Sequence, residues 1–114
     1  MVIYHITSRS DWKKAQQAGQ YTAPSLTQEG FIHASTGEQV TGTANLFYHG
    51  QHGQVLLVID SERLLSELRF DVVSTHGAEQ RFPHIYGPLN LDAVVDALDF
   101  QPDTNGTFQF AADR

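Results

Sequence analysis

The apolar positions of residues 2–7 are β-branched or aromatic, which predicts a strand. Ser8 then stands where an N-cap is needed, with Asp11 three residues on, so residues 9–18 predict a helix. Gly19 is placed to end it. Its apolar stripe is thin (Trp12, Ala15, Ala18), so it should lie on the surface with Trp12 as anchor. Residues 19–29 hold Gly19, Pro24, Ser25 and Thr27 and read as a loop. Residues 30–35 predict a short second strand. A second helix follows, because Ser35 with Glu38 and Thr36 with Gln39 have capping-box spacing. Val40, Ala44, Phe47 and Tyr48 fall on one face of that helix. Gly42 weakens it by about 1 kcal/mol relative to alanine. His49-Gly50 and Gly53 mark its exit and a turn.

The unbroken apolar run Val55-Leu56-Leu57-Val58-Ile59 predicts a central strand over residues 54–60, buried on both faces. Ser61 is placed to cap a short helix running through Leu68. Residues 69–74 return to strand, and His76-Gly77 turn the chain. Residues 82–86 predict a strand that Pro83 assigns to an edge or a bulge, and Gly87-Pro88 end it. Residues 91–100 fit either a helix (Leu91, Val94, Val95, Leu98) or a strand through Val94-Val95 and Phe100. Residues 102–106 read as a turn, and residues 110–114 as a frayed tail. There is no linker, repeat or low-complexity segment. The order of elements predicts an α+β fold in a single domain over residues 1–114. It combines a mixed, largely antiparallel sheet with two to three helices.

Composition narrows the function classes. A chain of 114 residues is long enough for one core. With 40% hydrophobic and 18% charged residues, it is not a disordered polyampholyte. No apolar run is long enough for a membrane helix, and the N-terminus lacks a basic start followed by an apolar stretch. The expectation is a cytoplasmic protein with no membrane partner. The absence of cysteine removes disulfides, thiolate metal sites and a cysteine nucleophile. The net charge of −6, with Lys13-Lys14 the sole adjacent basic pair, argues against duplex DNA as a partner. A small nucleotide-like ligand remains compatible. The sequence assigns no oligomeric state.

Six histidines are the residues richest in chemistry. Side chains two apart in a strand share a face. His5 thereby sits with Ile3 and Thr7, His33 with Phe31 and Ser35, and His84 with Phe82 and Tyr86. The opposite faces carry Tyr4 and Ile6, Ile32 and Ala34, and Ile85, which are core-like. If the three strands are neighbours, they build a polar wall on an apolar base, the make-up of a ligand pocket. A strand histidine is also a common hydrogen-bonded packing residue, and Ser35 and Thr7 have structural uses. His49, His52 and His76 flank glycines and read as surface residues. Three clustered imidazoles suit a metal, ribose and phosphate groups, or acid–base work near neutral pH. No HExxH, GxGxxG, P-loop or GxSxG motif is present.

Four segments carry a family resemblance. They are Tyr4-His5-Ile6-Thr7, Gly30-Phe31-Ile32-His33-Ala34-Ser35, Ala44-Asn45-Leu46-Phe47-Tyr48 and Phe82-Pro83-His84-Ile85-Tyr86-Gly87-Pro88-Leu89. Together they resemble the small bacterial proteins called domain of unknown function 952, over residues 2 to about 108. That family is similar in fold to the ADP-ribosyltransferase superfamily, which splits NAD at its nicotinamide–ribose bond. The resemblance implies an ADP-ribosyltransferase-like fold and NAD as the candidate cofactor, with no metal. By resemblance His5-Ile6-Thr7 stands where that superfamily often has His-Gly-Thr, so His5 would bond a ribose hydroxyl. Phe31 to Thr36 is similar to its aromatic strand running into Ser-Thr. Its catalytic glutamate is matched here by His84, and an imidazole cannot stabilise developing positive charge as a carboxylate does. Glu79, five residues upstream, is the remaining acid. The related RNA 2′-phosphotransferase also lacks the glutamate and uses basic residues and histidine, roles that Arg9, Arg81 and His84 would fill.

The leading reading is therefore a transferase-like enzyme with His5, His33 and His84 at its centre. Thr7, Arg9, Phe31, Ser35, Thr36, Tyr48, Arg81 and Tyr86 would make up its ligand wall. The alternatives are a non-catalytic nucleotide-sensing or protein-docking module, and a histidine metal site.

Overall fold

The computed structural model describes residues 1–75 and 77–112. Strand β1 (Val2–Ser8) runs antiparallel to β4 (Gln54–Asp60), whose other edge pairs with β8 (Val94–Phe100). The continuous apolar run makes β4 central because both of its faces meet a core. Leu57 and Ile59 pack on one side with Ile3, Ile32 and Ile85. Leu56 packs on the other with Tyr4, Ile6, Val40, Ala44, Phe100 and Phe108. That demand settles residues 91–100 as one 3₁₀ turn, Leu91–Ala93, followed by strand: β4 needs a second partner, and Val94-Val95 tolerate extension.

Helix α1 (Arg9–Ala18) starts where Ser8 Oγ accepts the Asp11 N–H at 3.1 Å and stops at Gly19, with φ 89°. Ala15 is buried and Trp12 packs half-buried against the first core, while Ala18 is exposed. The segment predicted as a loop contains two short elements instead. They are β2 (Gln20–Tyr21), paired with β7 (Leu89–Asn90), and helix α2 (Pro24–Glu29). Proline at the first helical position and Gly30 after the last are the signals for α2.

The second predicted strand shrinks to β3 (Ile32–His33), which pairs with β6 (Ala78–Tyr86). Beyond it, Tyr4 and Ser35 exchange backbone hydrogen bonds of 2.8 Å, which ties this sheet to the edge of β1. Only one of the two capping signals acts. The Thr36 N–H donates to Gln39 Oε1 at 3.0 Å, and helix α3 (Val40–Phe47) begins after it. Val40 and Ala44 are buried, but Phe47 is 64% exposed, so the predicted helical face is narrower than its spacing.

No helix fills residues 61–68. A single 3₁₀ turn, Ser61–Arg63, is capped by Asp60 rather than by Ser61. The chain then extends into β5 (Glu67–Thr75), which pairs with β6 along its length. Pro83 is fully buried in β6, which is the middle strand of the order β3-β6-β5, not an edge. In an extended strand the N and O of one residue point to the same side. Pro83 O accepts from the Ala34 N–H at 3.0 Å, so the missing N–H lies beyond the short β3 and subtracts nothing from the pairing with β5. Gly77 turns this hairpin at φ 79°, whereas His76 lies outside the described residues. Three α-helices with antiparallel sheets make the architecture α+β. No helix among the described residues is long and apolar enough to cross a membrane.

Candidate functional site

A cleft of about 860 Å³ opens where the β1 sheet and the β3-β6-β5 sheet meet beneath α3. His5, His33 and His84 all line it, with Thr7, Ser35 and Tyr48. The three imidazoles occupy different settings.

His84 projects from β6 directly opposite His33 of β3, and the two ring centroids are 5.3 Å apart, edge to face. Its Nδ1 lies 2.8 Å from Asp71 Oδ2 of the neighbouring β5. The phenol of Tyr86, on the same face of β6, donates to that carboxylate oxygen. These two bonds, Tyr86 first, hold the Asp71 carboxyl below its ordinary range. Arg69 caps the arrangement, with its guanidinium 4.5 Å above the Tyr86 ring and fixed by Glu67. The ionised acceptor at Nδ1 selects the tautomer with its proton there, in which Nε2 is a bare acceptor. That nitrogen is buried and has no hydrogen-bond partner among the described residues. Phe31 stacks on the His84 ring at 4.0 Å and 16°.

His33 is about half exposed, and its Nε2 lies 3.0 Å from Glu29 Oε2. Two carboxylate–imidazole pairs thus stand side by side, one with a buried ring and a partly exposed carboxylate, the other open to water.

His5 joins them through the backbone. Its Nδ1 lies 2.5 Å from the carbonyl oxygen of His33, which only accepts, so Nδ1 carries the proton. Nε2 then accepts from the Tyr21 hydroxyl at 2.8 Å, and the Thr7 hydroxyl, 3.1 Å away, completes the phenol oxygen. Burial pushes the His5 pKa down to about 4 and raises Tyr21 to about 12. Tyr48 is likewise raised by burial. At neutral pH, His5 is uncharged and both phenols keep their protons.

The remaining predicted residues separate into three groups. Phe31 and Tyr86 touch the histidine network without lining the cleft. Thr36 caps the approach to α3. Arg9 pairs with Asp99 on β8, and Arg81 is exposed, its carbonyl accepting from Gln39. Arg81 is three residues and Glu79 five residues from His84. Odd spacing on an extended strand sends both to the opposite face. Arg9, Arg81 and His84 are therefore not brought together, and Glu79 does not replace a glutamate beside His84. Among the described residues no three His, Asp or Glu side chains are arranged to hold a metal ion.

Sequence reading missed Asp71, Tyr21, Glu29 and the amides Gln39, Gln51 and Gln54 of the cleft wall. Asp71 was legible in principle. It is an acid inside a predicted strand, where acids are depleted, at even spacing from Arg69.

The chain belongs to the proteins of unknown function DUF952, whose family model matches residues 6–97. It is similar to protein CC0527 from Caulobacter crescentus. The X-ray crystal structure of that protein matches with TM-score 0.84 and 37% identity, over 96% of this chain and 94% of that one. Its solution NMR structure matches with TM-score 0.79 and 36% identity, over 95% and 91%. Nothing among curated proteins matches.

Proposed function

We propose that the cleft binds a small ribose-containing ligand, a nucleoside or nucleotide of the NAD type, and that His84 Nε2 accepts a hydrogen bond from one of its hydroxyls. The observation that carries this reading is the Asp71–His84 pair. A carboxylate fixes one ring nitrogen and leaves the other without a partner, in a residue that forms part of the cleft wall. A buried acceptor left unpaired destabilises the free protein, and a ligand hydroxyl relieves that. The exposed His33 ring beside it, held by Glu29, swings aside to admit that hydroxyl.

The opposite-face position of Glu79 disfavours ADP-ribosyl transfer by a glutamate-assisted route. The separation of Arg9 and Arg81 from His84 disfavours 2′-phosphotransfer. Binding through a hydrogen bond to His84 Nε2 is the reading these placements leave. Isothermal titration with nicotinamide riboside, NAD and ADP-ribose tests it. At least one should give saturable heat that is lost in His84→Ala and in His84→Gln, which retains a donor to Asp71. Silence from all three at millimolar concentration removes the reading.

A further inference from the structure

We infer that the cleft takes its ligand without phosphate groups, as a nucleoside with a neutral or cationic base rather than as a nucleoside phosphate. This rests on the ribose reading above and adds the charge class of the ligand. The walls supply uncharged donors and acceptors: the amides of Gln39, Gln51 and Gln54 and the hydroxyls of Ser25, Thr43 and Tyr48. Asp11 and Glu38 are the only formal charges, histidines aside, among the described lining residues, and no lysine or arginine joins them. Both carboxylates are exposed, and neither is in an ion pair among the described residues.

Their placement adds to the effect. Asp11 lies in the first turn of α1, and Glu38 just precedes α3. A helix start attracts phosphate through its free N–H groups and partial positive charge. Here Asp11 already answers that charge in the first turn of α1, and Glu38 adds a negative charge just ahead of the Gln39 N-cap of α3. Phosphate recognition is commonly built from arginine, lysine or bare helix starts, and beside its three imidazoles this wall offers amides and hydroxyls. An anion entering it exchanges water for uncharged partners beside two carboxylates. A cationic base is attracted by the same pair.

Calorimetry at low salt with adenosine, nicotinamide riboside, AMP and ADP-ribose tests the inference. Both nucleosides should bind about tenfold or more tightly than the two phosphorylated ligands. The double variant Asp11→Asn with Glu38→Gln should narrow that gap and flatten the salt dependence of nicotinamide riboside binding. AMP or ADP-ribose binding more tightly than the nucleosides overturns the inference and leaves the ribose reading standing. An unchanged gap in the double variant overturns its charge basis. Absence of heat from all four ligands overturns both readings together.

Discussion

His5 shows how one buried residue ties stability to pH. The imidazole bridges the His33 carbonyl on β3 and the Tyr21 phenol on β2, so it holds three strands through one ring. Burial lowers its pKa in the folded chain to about 4, from 6.5 when exposed. Between these values the unfolded state binds a proton that the native state refuses, so stability rises with pH across that window. The contribution is complete above pH 6.5 and is lost as the pH falls toward 4. A shift of this size corresponds to about 3 kcal/mol at the acid end. Urea unfolding from pH 7 to pH 4 should show that decline. His5→Phe should remove this part of the pH slope while lowering stability at pH 7 by about 2 kcal/mol, because the His33 carbonyl and the Tyr21 phenol lose a partner. A slope unchanged by the substitution would show that other groups set the acid limb.

At the scale of elements, the last described residues act as an unpaired strand laid on α3. Asn45 grips Phe108 from both sides. Its amide donates to the Phe108 carbonyl at 3.0 Å and its oxygen accepts the Phe108 N–H at 2.7 Å. Thr41 treats Phe110 in the same way, at 3.1 Å for each bond. Phe108 is fully buried, and Phe110 packs edge-on against Tyr4. Phe110 is thus docked, at the start of the tail expected to fray, while residues 111 and 112 are exposed and residues 113–114 lie outside the described residues. Phe108→Ala should destabilise by about 3–5 kcal/mol in urea unfolding. A loss below about 1 kcal/mol would mean that this segment is not part of the core. The miss has a physical reason. Polar side chains one helical turn apart replace a sheet partner, and no local periodicity announces that. The well-read elements are those with local signals: β1, α1 with Ser8 and Gly19, and the apolar run of β4. The misread ones, β2, α2 and the turn after Ser61, are short, and their tertiary partners decide them. At the site, alternation grouped Phe31 with His33 and His84 with Tyr86, and the pairing of β3 with β6 brings these rings into contact. Asp71 stands out in the sequence as an acid within a strand, but its pairing with His84 depends on a β5–β6 register that the sequence does not contain.

Over the whole molecule, two sheets meet at the Tyr4–Ser35 bridge and leave the cleft along their junction. The radius of gyration, 13.5 Å, matches the roughly 13 Å of one compact body of this length. The histidines therefore converge by topology rather than by proximity in sequence. The rings of His33 and His84 touch, and His5 reaches them through a carbonyl. The account depends most on a bare Nε2 on His84 that a ligand can reach. Long-range ¹H–¹⁵N spectra of the histidine side chains read that nitrogen directly. The expected result is a proton on Nδ1 and none on Nε2 in the free protein. Saturating nicotinamide riboside should then move the Nε2 resonance while leaving His49 and His52 in place. A proton found on Nε2 in the free protein, or an Nε2 signal that no ribose ligand moves, would contradict it.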